Sequence, residues 1–168
     1  DRRIIAGTVE SGRAAVGDEI EFFPSGKKSR IKSVERFESP ASEEISAGTA
    51  AGFTMTEQIY VKRGEIAVLA GINPPKVTSR IKVSLFWLGK EPLDADHEYI
   101  MKLGTAKASV RLEQIISVMD ASSLENKDQS KILRNDIADC VLSLDREIAF
   151  DLISELSGTG RFVLVNRF

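Results

Sequence analysis

The sequence predicts an all-β chain built as two small domains, and three observations predict it. Short apolar runs alternate with glycine- and proline-containing turns along most of the 168 residues. The first half holds no amphipathic stretch long enough for a crossover helix, which argues against βαβ units and for a barrel or sandwich. A proline pair near mid-chain, Pro74-Pro75, then stops one strand pattern before another begins.

In chain order, Arg3 to Glu10 is the first run, closed by Ser11-Gly12. Val16-Gly17-Asp18 reads as a tight turn into Glu19-Ile20-Glu21-Phe22-Phe23, and Pro24-Ser25-Gly26 as the turn before an extended stretch from Arg30 to Phe37. Ala47-Gly48 introduces Thr49 to Thr54, and Arg63-Gly64 introduces Glu65 to Leu69. Gly71 to Lys76 is the linker, because two prolines remove two backbone donors and no sheet continues through them. Beyond it, Ile81, Val83, Leu85 and Trp87 share one face of a strand while Arg80, Lys82 and Ser84 share the other. Thr105 to Met119 reads as a long strand with Val110, Leu112, Ile116 and Val118 in phase. A polar stretch, Asp120 to Asn135, follows, and within it Leu124 to Lys127 is a candidate helical turn. Ala138 to Leu144 and Arg161 to Val165 are strands, with one short helix expected in Asp151 to Leu156.

Composition narrows the function. A formal net charge of -2, with 42% hydrophobic and 29% charged residues, describes an ordinary globular chain and not a nucleic-acid binder, which needs a basic face. The single cysteine, Cys140, excludes an intramolecular disulfide, and no apolar run approaches the length of a membrane span. Together with the lack of a signal-peptide pattern these features predict a cytoplasmic protein. The first residues already read as a strand and no Met precedes them, which predicts a piece of a longer polypeptide.

The motifs that would carry chemistry fail one by one. Gly12-Arg13-Ala14-Ala15-Val16-Gly17 has the glycine spacing of a phosphate-binding loop, but Asp18-Glu19 stands where that loop needs Lys and Ser or Thr. Gly26-Lys27-Lys28-Ser29 lacks the earlier glycine and is followed by a strand, so no helix dipole would face the anion. Cys140 falls in the alternating set Ala138, Cys140, Leu142, Leu144, which places its thiol in a core. His97, the only histidine, sits beside Asp94 and Asp96, and an extended chain would turn His97 away from both carboxylates. Gly158-Thr159-Gly160 precedes a strand and is no dinucleotide fingerprint. At least one member of each pair Phe22-Phe23 and Phe86-Trp87 must face the core, which leaves little for stacking on bases. Arg30, Lys32 and Arg36 share strand parity near Lys27 and Lys28, and a solvated outer face is the expected use of that basic ladder.

Specific segments go further than pattern. Arg3-Ile4-Ile5-Ala6-Gly7-Thr8-Val9-Glu10-Ser11-Gly12 with Val16-Gly17-Asp18-Glu19-Ile20 resembles the opening of the second domain of elongation factor Tu-like GTPases. Ser46 to Phe53 and Ile59 to Ala67, with its Arg63-Gly64, are similar to later parts of that domain. In that family the first glycine, here Gly7, allows strands to approach closely. Trp87 to Leu93, Tyr99 to Thr105, Leu142 to Asp151 and Gly160 to Arg167 resemble the third domain of the large, GTPase subunit of sulfate adenylyltransferase.

The resemblance implies two consecutive small antiparallel β-barrels of the translation-factor type, domain II-like over 1–73 and domain III-like over 77–168, with 74–76 as linker. It implies a non-catalytic part of a GTPase subunit that couples GTP hydrolysis to sulfate activation. Its partners would be the parent's GTPase domain and a small catalytic subunit; in some members an adenylylsulfate kinase domain follows. The phosphate loop, the switch aspartate and the guanine-reading Asn-Lys-x-Asp are absent, and Asn166 stands where Asp is expected. No catalytic, cofactor-binding or metal residue is therefore assigned, and GTP and magnesium belong to the missing domain. The rival readings are tRNA-holding barrels of a translation factor, against which the acidic balance weighs, and a free-standing enzyme, against which the failed motifs weigh.

Overall fold

The computed structural model describes residues 3–35, 42–128 and 130–166, and it is all-β as expected. Seven strands come from the first part of the chain: β1 (Ile5–Thr8), β2 (Arg13–Ala15), β3 (Glu19–Phe23), β4 (Lys27–Glu35), β5 (Glu44–Ser46), β6 (Ala50–Met55) and β7 (Ile66–Leu69). Five follow: β8 (Lys76–Phe86), β9 (Glu98–Leu103), β10 (Ala106–Asp120), β11 (Asp136–Phe150) and β12 (Phe162–Asn166), with one helical turn, α1 (Ser157–Gly160), before the last. They form one five-stranded sheet in the order β1-β6-β4-β3-β7, another in the order β12-β9-β10-β11-β8, and a ribbon of β2 with β5. Two compact units result: Asp1–Val77 with Leu103–Ala106 and Ile148–Arg161, and Thr78–Lys102 with Lys107–Glu147 and Phe162–Phe168.

In the first unit, alternation along β3 and β4 sends Ile20, Phe22 and Ile31 inward, where they meet Ile45 and Phe53. Ribbon β2–β5 was not legible as strands, since Arg13-Ala14-Ala15 offers one charge and two small side chains between glycines. Pairing of Ala14 with Ile45 forms it. β4 starts at Lys27, earlier than the expected Arg30, because Gly26 at φ +68 completes the turn and Phe22 pairs at once with Lys27. Gly7 is not the close-approach glycine that the resemblance implies. A Cβ there would meet nothing within 4 Å, whereas one at Gly52 would lie 2.8 Å from Ile4 Cγ2.

In the second unit, Ile81, Val83 and Trp87 are buried as their parity requires, with Tyr99, Met101, Val110 and Leu142. Trp87 meets Tyr99 edge to face, centroids 5.8 Å apart, and its indole N–H donates to the Glu91 carbonyl at 2.8 Å. The phase along β10 survives for an unexpected reason. Single extra residues interrupt the register between Leu112 and Gln114 and again between Ile115 and Ser117. Each bulge reverses parity. Two restore it, so Leu112 and Val118 both end buried. The expected helical turn over Leu124 to Lys127 is absent, because Leu124 lies at φ 58 and the right-handed spiral stops there. The helix expected in Asp151 to Leu156 is displaced to α1. The earlier residues form a turn closed by Leu156 N–H to the Leu152 carbonyl.

Candidate functional site

Each candidate side chain from the sequence is drawn into local structure. Asp18 turns back on its own loop, where its carboxylate accepts the Ala15 N–H at 2.8 Å. Gly17 at φ +93 lets that turn close. Asp94 and His97 behave differently from an extended chain. The segment bends, so Asp94 Oδ1 accepts the backbone N–H groups of Asp96 and His97 and lies 2.7 Å from His97 Nδ1. The carboxylate beside it holds His97 above the usual imidazole range, and His97 in turn holds Asp94 low. Among the described residues no cluster of three metal-ligating side chains exists. Cys140 is fully buried, and burial pushes its thiol up to about 12, an unreactive value. Phe22 and Trp87 are buried, while Phe86 is half exposed.

Two members of the basic ladder are neutralised by the neighbouring strand. Antiparallel register sets Glu19 opposite Arg30 and Glu21 opposite Lys28, with ion pairs at 3.2 Å in both cases. Lys27 donates to the Tyr60 carbonyl at 2.6 Å and stands 5.7 Å from the ring centroid. Arg36 lies outside the described residues. Lys32 occupies a bulge between Ile31 and Ser33 and borders an open groove of about 550 Å³ with Arg3, Ser33, Thr54 and Glu57. Ser33 donates to Glu35 at 2.7 Å and lies 2.5 Å from the Thr54 hydroxyl. Both hydroxyl protons thus run toward a carboxylate, which suits the groove poorly to an oxyanion.

Two arrangements in the second unit escaped sequence reasoning, since both depend on pairing across distant segments. Lys127 bridges Asp120 at 2.8 Å and the fully buried Asp136 at 2.7 Å. The other Asp136 oxygen accepts the Leu133 N–H. Hydrogen bonds from Lys127 and from the Ser122 and Ser123 N–H groups bring Asp120 down to about 2, and Lys127 is raised in return. Residues 86–93 also run beside 132–136. Trp87 N–H donates to the Asp136 carbonyl, Asn135 N–H to that of Trp87, and Leu93 and Ile132 exchange a pair of backbone bonds. Trp87, Leu93, Ile132 and Asp136 face inward.

With this geometry in place, likeness to known proteins is specific. Residues 80–167 match the family described as GTP-eEF1A C-terminal domain-like. The chain belongs to that family. Over 167 residues it is 34% identical to sulfate adenylyltransferase subunit 1 of Aeromonas hydrophila, 32% to that of Psychromonas ingrahamii and 30% to that of Shewanella woodyi. Each comparison covers 99% of this chain and 35% of the relative, so the chain spans about a third of their length. The likeness to sulfate adenylyltransferase subunit 1 thus extends along the whole chain. Two solved structures of sup35, complexed with GDP and with GMPPNP, superpose with TM-scores of 0.87 and 0.83 at 15% and 14% identity. They cover 98% of this chain and 41% of theirs. Identity that low shows the fold alone: consecutive antiparallel β-barrels of the translation-factor type.

Proposed function

We propose that this chain is the β-barrel portion of the GTPase subunit of a sulfate adenylyltransferase, and that it performs no chemistry of its own. In this reading the barrels are domain II-like over 1–73 and domain III-like over 77–168, with 74–76 as linker. They carry the nucleotide state of a GTPase domain to the small catalytic subunit that they dock. GTP and magnesium are held by the GTPase domain, and the setting is cytoplasmic. Among the described residues no helix is long and apolar enough to cross a membrane.

The observation that carries the reading is the end-to-end match to subunit 1 relatives across 99% of the chain. The side chains support it. Asp18, Asp94, His97 and Cys140, the groups with most chemical potential, are tied into turns or a core. A tRNA-holding role fits less well, because Glu19 and Glu21 cancel two of the β4 cations that would face a phosphate chain. The test is titration of the small catalytic subunit into this chain and, separately, into the full-length parent. Saturable association is expected in both, and no association of either at about 100 μM overturns the docking role.

A further inference from the structure

The chain between β10 and β11 is held to the second sheet in two different ways. Near β11 it is anchored by burial, since Ile132 has no exposure and pairs with Leu93. Over 121–127 it has no such anchor. No side chain from Ala121 to Asp128 is buried, and Leu124 is 67% exposed. The bonds that hold this turn are polar. Asp120 N–H donates to the Glu125 carbonyl at 3.0 Å, Leu124 N–H to that of Asp120 at 2.8 Å and Lys127 N–H to that of Val118 at 2.9 Å. The Asp120 carboxylate accepts the Ser122 and Ser123 N–H groups at 2.8 and 3.1 Å. Lys127 Nζ adds its two ion pairs, with Asp120 and with Asp136.

These contacts are unequal. If the turn lifts, its backbone groups exchange their bonds for bonds to water at little net loss. Asp136 is different, because it is only 1% exposed. Lifting Lys127 away takes the counter-charge from a buried carboxylate, which is costly. The other partner of Asp136, the Leu133 N–H, carries no full charge. One ammonium group therefore sets most of the cost of opening a turn that buries no side chain.

We propose that 121–127 is a flap that opens as a unit while the sheet stays closed, with Lys127 as the latch that sets how often it opens. Segments without buried apolar contacts open at a fraction of the global cost. The sheet beneath has the opposite character, since Val118, Ala138, Cys140 and Leu142 are all buried. The proposal does not depend on the docking reading above.

The test is amide hydrogen exchange in the full-length protein, read by mass spectrometry at several low denaturant concentrations. Peptides covering 120–127 are compared with peptides covering 138–144. In the wild type the flap amides are expected to exchange at least about tenfold faster than those of β11. Their rate should hardly change with denaturant, because local opening exposes little surface. Lys127→Met is expected to speed flap exchange by about tenfold, still without a denaturant slope. Asp120→Asn keeps an oxygen for the Ser122 and Ser123 N–H groups but removes one ion pair, and should speed it by about threefold. Flap amides whose rates and denaturant slope match those of β11 show that 121–127 opens only with the sheet, which overturns the flap. Flap exchange unchanged in both variants overturns the latch. Should Lys127→Met fail to fold, the wild-type slope and Asp120→Asn decide.

Discussion

The outer face of β3–β4 in the first unit and the outer face around Phe86 and Ile137 in the second have the same period-two logic and opposite chemistry. On the first, register places a carboxylate across from each of two cations, Glu19 with Arg30 and Glu21 with Lys28. On the second, large apolar side chains fill the outward positions, and Lys90, Lys131 and Arg134 have no internal counter-ion among the described residues. On the first face, two of the cations are answered within the sheet. The second leaves large apolar side chains in water where the first sets ion pairs.

The largest effects should separate the inner side from this outer one. Leu142→Ala, at a position with no exposure, is expected to cost about 3–4 kcal/mol in urea unfolding. Phe86→Ser, at a half-exposed outward position on β8, should cost less, about 1 kcal/mol. An equal loss from both would show that Phe86 packs into the fold and would collapse the contrast.

Next in size is Lys127→Met, which leaves the buried Asp136 without its counter-charge and should lower the melting temperature clearly. It also changes the acid limb. Asp120 titrates at about 2 when folded against about 4 when unfolded, so its stabilising share is complete above pH 4 and lost as pH falls through 2. In Lys127→Met that acid loss should shrink when unfolding is followed across this window.

On the balanced face, Arg30→Ala should cost about 0.5 kcal/mol or less, and salt should erase the difference, since both partners are partly exposed. The smallest effect belongs to His97→Gln. Because Asp94 raises the folded His97, its contribution is present below the unfolded value of about 6.5 and is lost as pH rises through the folded one. Melting temperatures of the two proteins should differ near pH 5 and coincide near pH 9.

Much of this architecture was legible in the residues. Ile81, Val83 and Trp87, or Ala138, Cys140 and Leu142, announce their faces because strands alternate strictly and the inner positions are large. Three-residue strands such as β2 were not, since Arg13-Ala14-Ala15 takes its form from Ile45 and its neighbours, distant in sequence. The paired bulges of β10 left no trace, because two parity reversals cancel. The bend joining Asp94 to His97 was missed for a local reason: one carboxylate accepting two backbone N–H groups overrides an extended course. The placing of exposed Phe86 opposite Ile137 needed the register of β8 against β11, and no period in either segment contains that information.

Cys140 offers one more use. As the chain's sole thiol, wholly enclosed in the middle of β11 and protonated at any ordinary pH, it is invisible to a disulfide reagent until the strand lifts away. The speed of its modification in native buffer is therefore a clock for the opening of the second sheet, readable without introducing any label into the protein.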